Sequence, residues 1–461
     1  MADWDLGALA RAAGSETIGG AQQLRIAAVG TDTRSLPVAS LFVALRGKRF
    51  DGHRFINDAV TRGAQAVMVD REGAHFAENL KVPVLVVADT QKALGDMAHW
   101  VLKQLHQTVV GITGSNGKTT TKEMIAAVLA QRGAVHKTIG NFNNTIGLPL
   151  SILTCSKITW ACVLEMGMSE SGEIARLCEI AEPDVGLITM IGKAHLEQLG
   201  NCENVARAKA ELFDKLPANG IGIVNLDDPL IMQIAVPFLG KRARVTFGRD
   251  AKADVRLLGS VAADDHVRIH LSVAGVTSEV LLPLPGPHNA MNATATAAVA
   301  YALGIDSQNI AAGLTQLAIP GGRMHVVRRP MDVSYIDDTY NANPDSMIAG
   351  LQALASIATT GRRIAILGDM LELGVDSSAM HRDIGREAGR IGISHVYALG
   401  PNAASMVTGA RECGAWAQAY DSMEELCLDL DRILKPGDFV LVKGSRGMHM
   451  ERAVAHLLER H

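Results

Sequence analysis

Gly111-Ile-Thr-Gly-Ser-Asn-Gly-Lys-Thr119 has the composition of a phosphate-binding loop. It overlaps the apolar run Thr108-Val-Val-Gly-Ile112 and precedes a segment whose apolar residues, from Met124 to Leu129, share one face of a helix. In such a strand–loop–helix unit, glycines let the backbone wrap around phosphates, and the helix N-terminus favours anionic oxygen. Lys118 supplies positive charge, and the Thr119 hydroxyl is a suitable Mg²⁺ ligand. The sequence therefore predicts binding of a nucleoside triphosphate.

The loop departs from the usual Gly-x-x-x-x-Gly-Lys-Ser/Thr pattern at its first position. That pattern requires glycine at position 112, whereas this chain has Ile112 and places glycines at 111 and 114. The alternative is a glycine-rich turn that only starts a helix. We assign nucleotide contacts to eight consecutive residues, namely Thr113, Gly114, Ser115, Asn116, Gly117, Lys118, Thr119 and Thr120.

Short apolar runs alternate with helical patterns along most of the 461 residues, which suffice for about three domains. The runs in 108–225 indicate a doubly wound, mostly parallel sheet, and a second series after Pro320-Gly-Gly-Arg323 indicates a Rossmann-like α/β domain. We predict an α/β protein with a small N-terminal α/β domain (1–85), a central P-loop domain (86–320) and a C-terminal domain (321–461). Pro320-Gly321-Gly322 is the expected hinge.

The composition argues against several classes of protein. Lys and Arg number 44 against 48 Asp and Glu, a formal net charge of −4, and no long basic run occurs, so nucleic acid is not an expected partner. The start of the chain is acidic and the apolar stretch 293–305 is too short for a transmembrane segment, so we expect a cytoplasmic protein. The six cysteines form no Cys-x-x-Cys pair and are expected to be reduced core thiols.

Three further polar residues are candidates for the edge of the predicted sheet. Glu165 ends an apolar run and His195 follows another, so both are expected near the phosphate loop, where open α/β sheets bind ligands. A carboxylate suits Mg²⁺, whereas histidine is an unusual ligand for it. From chemistry alone an ordinary histidine stays an equal alternative for His195, and a solvated lysine is the simpler interpretation of Lys209.

The variant loop resembles that of the Mur ligase family, which also includes folylpolyglutamate synthases. Thr31-Asp-Thr-Arg34, Leu41-Phe-Val-Ala-Leu45 and Asp51-Gly-His53 resemble the N-terminal domain of the members that bind a uridine-diphosphate substrate. The resemblance thus covers almost the whole chain. It implies substrate contacts from Thr33, Arg34, Ser35, Phe42, Asp51, Gly52 and His53.

The resemblance also implies a two-magnesium centre. Glu165, His195 and Lys209 fall where the family has its metal site, and 209 − 195 = 14 is the family's spacing between a metal-binding histidine and a carbamylated lysine. With Thr119 they form the implied metal set.

Gly140-Asn-Phe-Asn-Asn-Thr-Ile-Gly147 is similar to the family's substrate-facing loop, although from the residues alone an Asn-rich turn stays open as the alternative. Its implied substrate contacts are Asn141, Asn143, Asn144 and Thr145.

Two other motifs are similar to nucleotide contacts of the family. His288-Asn-Ala-Met-Asn292 resembles its adenine-contacting element, which implies roles for Asn289 and Asn292, with a helix N-cap as the alternative for Asn289. Arg323 resembles the arginine that contacts the γ-phosphate. In Asp337-Asp338-Thr-Tyr-Asn-Ala-Asn-Pro344 we assign the ribose contact to Asp338.

Leu367-Gly-Asp-Met-Leu-Glu-Leu-Gly374 and Lys443-Gly-Ser-Arg-Gly447 resemble the branch of the family that adds D-alanyl-D-alanine to UDP-N-acetylmuramoyl tripeptide. The Asp-Asn-Pro-Arg motif of the diaminopimelate-adding branch is absent from the sequence. The resemblance implies substrate contacts from Lys443, Ser445 and Arg446, and catalysis through an acyl phosphate by Lys118, His195, Lys209 and Arg323.

We expect a monomer whose open form closes on its ligands. Two alternatives stay open: another amide ligase that differs in its acceptor, and a regulatory ATPase that does no ligation.

Overall fold

The computed structural model describes residues 3–18, 24–47, 50–263, 266–318, 321–329 and 333–459. These residues form three main β-sheets with flanking helices, which confirms the predicted α/β class and its three-part organisation. Pro320 of the expected hinge lies outside the described residues. Within the described ranges, no helix has the length and apolar character needed to cross a membrane.

The N-terminal part contains a five-stranded sheet in the order β2-β7-β6-β5-β4, parallel except for the β2–β7 pair. Its elements are β1 (Trp4–Asp5), α1 (Leu6–Ala12), β2 (Glu16–Ile18), β3 (Arg25–Ile26), β4 (Ala28–Gly30), β5 (Ser40–Val43), α2 (Ile56–Thr61), β6 (Ala64–Asp70) and β7 (Val84–Val87). Trp4 ties this part to the next, because its indole N–H donates to the Leu153 carbonyl at 3.2 Å and its ring meets the edge of Trp100.

The central part contains a nine-stranded sheet in the order β16-β15-β14-β13-β12-β11-β8-β10-β9. Its helices are α3 (Thr90–Leu105), α4 (Lys118–Leu129), α5 (Gly147–Ile152), α6 (Glu173–Ala181), α7 (Leu196–Leu199), α8 (Cys202–Asp214), α9 (Val236–Leu239), α10 (His288–Ala302) and α11 (Ser307–Thr315). Its strands are β8 (Thr108–Thr113), β9 (Val135–Lys137), β10 (Ala161–Glu165), β11 (Val185–Ile188), β12 (Ile221–Asn225), β13 (Ala243–Gly248), β14 (Val255–Ala262), β15 (Val267–Val273) and β16 (Val276–Leu282).

Strands β8 to β14 form a parallel series, in line with the mostly parallel sheet that the sequence predicts. Strands β15 and β16 extend this sheet from β14 in antiparallel pairs, and this extension was not predicted. Strand β8 lies between β10 and β11, so the strands that follow β8 in the chain are placed on both of its sides in the sheet. The crevice outside the carboxyl end of such a strand is the usual ligand site of an open α/β sheet. The phosphate loop follows β8 at this point.

The C-terminal part contains a six-stranded sheet in the order β17-β18-β22-β19-β20-β21, parallel except for the β17–β18 pair. Its strands are β17 (His325–Val327), β18 (Ser334–Asp338), β19 (Arg363–Gly368), β20 (His395–Leu399), β21 (Trp416–Tyr420) and β22 (Phe439–Lys443). Its helices are α12 (Pro344–Ser356), α13 (Ser377–Arg390), α14 (Ala403–Glu412), α15 (Met423–Ile433) and α16 (Glu451–Glu459). Buried apolar residues on both faces of this sheet form two separate cores.

Candidate functional site

A cleft of roughly 640 Å³ opens between the carboxyl edge of the central sheet and the C-terminal part. Both parts contribute polar side chains to its wall. The sequence-predicted residues that line it are Ser115, Asn116, Gly117, Lys118, Thr119, Thr120, Asn143, Asn144, Glu165, His195, Asn292, Arg323, Asp338 and Lys443. One cleft therefore gathers most of the predicted nucleotide and metal residues from distant segments of the chain.

The phosphate loop has a backbone that only glycine accommodates at two positions. Gly114 has a φ of 149° and Gly117 a φ of 79°. A Cβ atom on Gly114 would overlap Thr189 Oγ1, and one on Gly117 would lie 2.5 Å from Asn292 Oδ1. Both glycines are thus required by close packing as well as by φ.

Lys118 is the first residue of α4, and its Nζ donates to the Gly114 carbonyl at 2.7 Å. Burial lowers the pKa of Lys118, the carboxylate of Glu165 opposes that change, and the positive charge of Arg323 adds to it. A bound anion would favour the charged amine at this position. The loop is therefore suited electrostatically to a phosphate chain.

Thr119, Glu165 and Asn143 form a compact group of oxygen-rich side chains beside the loop. Thr119 Oγ1 donates to Glu165 Oε2 at 2.5 Å, and Asn143 Nδ2 donates to Glu165 Oε1 at 2.9 Å. Glu165 is only 3% exposed, and Thr138 Oγ1 accepts a hydrogen bond from its backbone N–H. Mg²⁺ prefers such oxygen ligands and commonly takes one or two carboxylates plus substrate phosphates. This group fits the predicted magnesium ion.

The described residues contain no cluster of three or more His, Cys, Asp or Glu side chains that could hold a metal without other ligands. His195 lines the cleft, and its Nδ1 lies 2.7 Å from Glu372 Oε2 in the C-terminal part. That hydrogen bond is the main reason why the pKa of Glu372 is lowered. The metal role of His195 stays a prediction.

Lys209 lies on α8 and is 1% exposed, which is the opposite of the solvated lysine favoured by its sequence context alone. It does not line the cleft. Burial lowers its pKa well below the ordinary value, and the positive charge of Lys118 lowers it further. Burial therefore favours the neutral amine of Lys209, which is the form that reacts with carbon dioxide.

Arg323 and Asp338 approach the cleft from the C-terminal part. The guanidinium of Arg323 lies 3.8 Å from the centre of the Tyr340 ring, a cation–π contact. Asp338 is held on both oxygens: Oδ1 accepts from the Met324 N–H at 3.2 Å, and Oδ2 accepts from Lys443 Nζ at 2.5 Å. A ribose contact from Asp338 stays a prediction, and a sugar would have to share these oxygens.

Replacing Lys443 with methionine is expected to lower the free energy of unfolding by about 3–5 kcal/mol, because the side chain of Asp338 is 14% exposed and would lose its buried partner. The change is measured by urea denaturation. Arg452→Met removes an exposed ion pair with Glu424 in the same part and should cost less than about 1 kcal/mol. Equal losses in the two variants would contradict this expectation.

Asn289 and Asn292 lie in the first turns of α10, and neither caps it, because Pro287 is its N-cap residue. Asn289 is 2% exposed and its Nδ2 donates to the Pro285 carbonyl at 2.7 Å. Asn292 lines the cleft, and its Nδ2 donates to Asn289 Oδ1 at 3.0 Å. Asn292 alone of the pair is thus presented to a ligand in this structure.

The predicted uridine-side residues do not line the cleft and lie in the N-terminal part. Thr33, Arg34 and Ser35 form a 3-10 turn in which Arg34 pairs with Asp32. Phe42 is 1% exposed in the core of this part. His53 is equally buried, and its ring lies 2.6 Å from Asp51 Oδ1 and accepts from the Asp70 N–H. A Cβ on Gly52 would meet the backbone of residue 45. The side chains of Phe42 and His53 therefore support the sheet.

The other predicted substrate residues differ in their surroundings. Asn141 is exposed, whereas Asn144 Oδ1 accepts the Gly147 N–H and orders the start of α5. Thr145 Oγ1 accepts from Gln91 Nε2 at 2.8 Å. Two lie on the C-terminal part: Ser445 Oγ donates to the Ala342 carbonyl, and Arg446 lies 6.0 Å from the Tyr340 ring.

Several cleft residues were not assigned from the sequence. They include His288, Tyr340, Asn343 and Asp345. Glu372, which does not line the cleft itself but contacts the cleft residue His195, was also not assigned. Burial lowers the pKa of His288 to about 4. Tyr340 and Asn343 belong to the motif at 337–344, and Glu372 belongs to the motif at 367–374. Nothing in the local sequence predicted which residues these side chains contact.

Models of known protein families match all three parts of the chain. Models of the Mur ligase family match residues 25–100 (catalytic domain), 112–300 (middle domain) and 322–446 (glutamate ligase domain). The UDP-N-acetylmuramoyl-tripeptide--D-alanyl-D-alanine ligase of Bacillus subtilis is 38% identical, over 95% of this chain and 94% of its own.

Two solved structures have the same fold. MurF from Acinetobacter baumannii superposes with a TM-score of 0.91 at 32% identity, covering 99% of both chains. MurF from Thermotoga maritima in complex with ADP superposes with a TM-score of 0.81 at 31% identity, covering 93% of this chain and 96% of its own. Because full-length relatives exceed 30% identity and all three parts are matched, this chain belongs to the Mur ligase family.

Proposed function

We propose that this protein is the ATP-dependent ligase that joins D-alanyl-D-alanine to UDP-N-acetylmuramoyl tripeptide, giving the pentapeptide precursor of peptidoglycan with ADP and phosphate. The observation that carries the proposal is the cleft in which Lys118, Glu165 and Arg323 converge from two parts of the chain. The full-length similarity to enzymes of that name supports the choice of substrates.

The first step activates the terminal carboxylate of the tripeptide. A carboxylate oxygen attacks the γ-phosphorus of ATP, the bond to the β–γ bridging oxygen breaks, and ADP leaves. Lys118 and Arg323 offset the negative charge on the transferring oxygens, while the N–H groups at the start of α4 hold the phosphates. The resulting acyl phosphate is a much better acyl donor than the carboxylate.

The second step forms the amide bond. The amine of D-alanyl-D-alanine attacks the acyl carbonyl, phosphate leaves, and the amine loses a proton. Mg²⁺, when bound by Thr119 and Glu165, would supply charge neutralisation at the phosphates. We also propose that His195 and carbamylated Lys209 complete a second magnesium site, and that the Asn141 to Thr145 loop contacts the sugar-peptide.

The remaining proposals concern the N-terminal part, the location of the enzyme, its oligomeric state and its domain divisions. We propose that the N-terminal part binds the uridine end through its exposed residues, such as Arg34, which is paired only with Asp32 on a surface turn. We place the enzyme in the cytoplasm because it consumes ATP, and we propose that it acts as a monomer. The domain divisions at 85 and 320 stay as proposed.

Phosphate release is expected to require ATP, UDP-N-acetylmuramoyl tripeptide and D-alanyl-D-alanine together. Release is measured with each substrate omitted in turn, and the product is identified by mass spectrometry as the pentapeptide. Substitution of D-alanyl-D-alanine by diaminopimelate, or of the tripeptide by a folate, distinguishes the other amide ligases of this family. ATP turnover that ignores both peptide substrates would instead establish a regulatory ATPase and refute the ligase.

A further inference from the structure

Two residues with left-handed backbones, one from the central part and one from the C-terminal part, meet beside the cleft. His195 has a φ of 56° and Glu372 a φ of 61°, a conformation that costs a non-glycine residue about 1–2 kcal/mol. The Nδ1 atom of His195 lies 2.7 Å from Oε2 of Glu372. Such strain persists only where the surroundings hold the residue, and it concentrates at functional sites. Here it brings a carboxylate of the C-terminal part onto an imidazole of the central part.

The chemistry of this contact fixes the histidine ring. An ionised carboxylate only accepts hydrogen bonds, so Nδ1 of His195 must carry the hydrogen in the neutral ring. The lone pair then lies on Nε2, and the ring itself lines the cleft. A carboxylate in this position sets both the tautomer and the orientation of a histidine that acts on a ligand.

His195 ends a segment that touches both sides of the cleft, and we name residues 189–195 the bridge loop. On the central side, the Gly192 N–H donates to Ser115 Oγ at 2.9 Å and Thr189 Oγ1 donates to the Asn116 carbonyl at 2.6 Å. On the C-terminal side, the Lys193 N–H donates to Asp345 Oδ2 at 2.9 Å. The bridge loop therefore links the phosphate loop to two carboxylates of the other part.

Glu372 is itself held by the central part through its backbone. Its carbonyl accepts the Glu197 N–H at 3.3 Å, and a Cβ on Gly374 would lie 3.5 Å from the Cα of Glu197. The segment around Glu372 thus packs directly against α7, which begins just after His195. These contacts can form only while the central and C-terminal parts are packed against each other.

Resting on the proposed ligase function, we propose that Glu372 is a positioning residue, by which contact of the C-terminal part orients His195 for work at the nucleotide site. Glu372 itself does not line the cleft, and it acts only through the ring of His195. The bridge loop connects the same contact to the phosphate loop, because it is hydrogen-bonded to that loop as well. Asp345 is the second point at which the bridge loop is attached to the C-terminal part.

The test compares Glu372→Leu, which removes the acceptor, with Glu372→Gln, whose amide oxygen still accepts from Nδ1. Both variants keep a Cβ atom, so the backbone strain at this position is unchanged. We expect Glu372→Leu to lower kcat 10- to 100-fold and Glu372→Gln less than about 5-fold. Glu279→Leu is the matched control, because Glu279 also lies beside a histidine, His270, but on the outer strand β16.

Nitrogen shifts of the His195 ring, measured by NMR with a non-hydrolysable ATP analogue, give a readout that general destabilisation would not move. The Nδ1–H tautomer should dominate in the wild type and in Glu372→Gln, and Nε2–H should appear in Glu372→Leu. A wild-type ring without the Nδ1–H tautomer, full activity in Glu372→Leu, or equal losses in the Leu and Gln variants would each overturn the proposal.

The NMR arm needs neither peptide substrate. It therefore separates failure of this inference from failure of the proposed ligase function, which is decided by the dependence of phosphate release on both peptide substrates. If release ignores both of them while the tautomer follows Glu372 as expected, the ligase assignment falls and the positioning role stands.

Discussion

Replacing Lys118 with methionine is expected to lower kcat for phosphate release at least about 100- to 1,000-fold while the protein stays folded. The amine of Lys118 is the cation at the first residue of α4, within the loop that is shaped for phosphates. Because burial lowers its pKa, removing the amine costs the unliganded protein little. Methionine matches the apolar stem of lysine and lacks the terminal amine with its charge and hydrogen bonds.

Steady-state phosphate release measures the effect of Lys118→Met, and circular dichroism and thermal melting verify the fold. Lys103→Met is the matched control, since Lys103 is an exposed lysine of α3 that pairs with Glu182 on the surface. Its kcat should stay within about 2-fold of the wild type. A Lys118→Met enzyme with more than a tenth of the wild-type kcat would remove Lys118 from the proposed chemistry.

Replacing Lys209 with methionine is expected to stabilise the protein and inactivate it at the same time. Burial without an opposite charge to favour ionisation makes Lys209 costly, by about 1–3 kcal/mol for a polar group that lacks compensation. Methionine removes that cost. If a carbamate on Lys209 orients the metal site, the same change should lower kcat about 10- to 100-fold. Lys215→Met, which replaces an exposed lysine just after α8, should change neither the stability nor kcat.

Urea denaturation in bicarbonate-free buffer measures the gain in stability. Labelled bicarbonate tests the modification, since a carbon NMR signal of a carbamate should appear in the wild type and be missing in Lys209→Met. Loss of both stability and activity in Lys209→Met would point to a purely structural lysine.

The pH dependence of the stability of Lys209→Met has a definite sign. Unfolded lysine titrates near about 10.4, whereas burial lowers the pKa of Lys209 in the folded protein. Between these two values the unfolded chain binds more protons, so the wild type becomes more stable as pH rises. The advantage of Lys209→Met should therefore shrink towards about pH 10. An advantage that stays constant across this range contradicts the depressed pKa.

Local patterns were sufficient for most of the parallel strands and for the phosphate loop. Strand β8, the loop and α4 are contiguous in the chain, so composition and spacing report directly on their structure. The antiparallel strands β14, β15 and β16 were missed. β15 alternates buried with less buried residues, and β14 does so only in part because its pairing shifts between Leu257 and Gly259.

Contacts between distant segments could not be read in the same way. His195 and Glu372 are 177 residues apart, and Asn116 and Asn343 are 227 apart, so no spacing rule links them. The burial of Lys209 was also hidden, because a lysine among alanines on an amphipathic helix suits a surface equally well. Family resemblance suggested a role for Lys209, but only the packing of α8 gave its surroundings.

The amide groups of Asn116 and Asn343, which both line the cleft, exchange two hydrogen bonds, of 3.0 and 2.9 Å, between the central and C-terminal parts. Asn343 also caps α12 through the Ser346 N–H, so its side chain is fixed from behind. Moving the central and C-terminal parts away from each other would break both of these hydrogen bonds. If product release requires that opening, the bonds break once per catalytic cycle, and the rate of turnover should fall as solvent viscosity rises whenever the opening is slower than the chemistry.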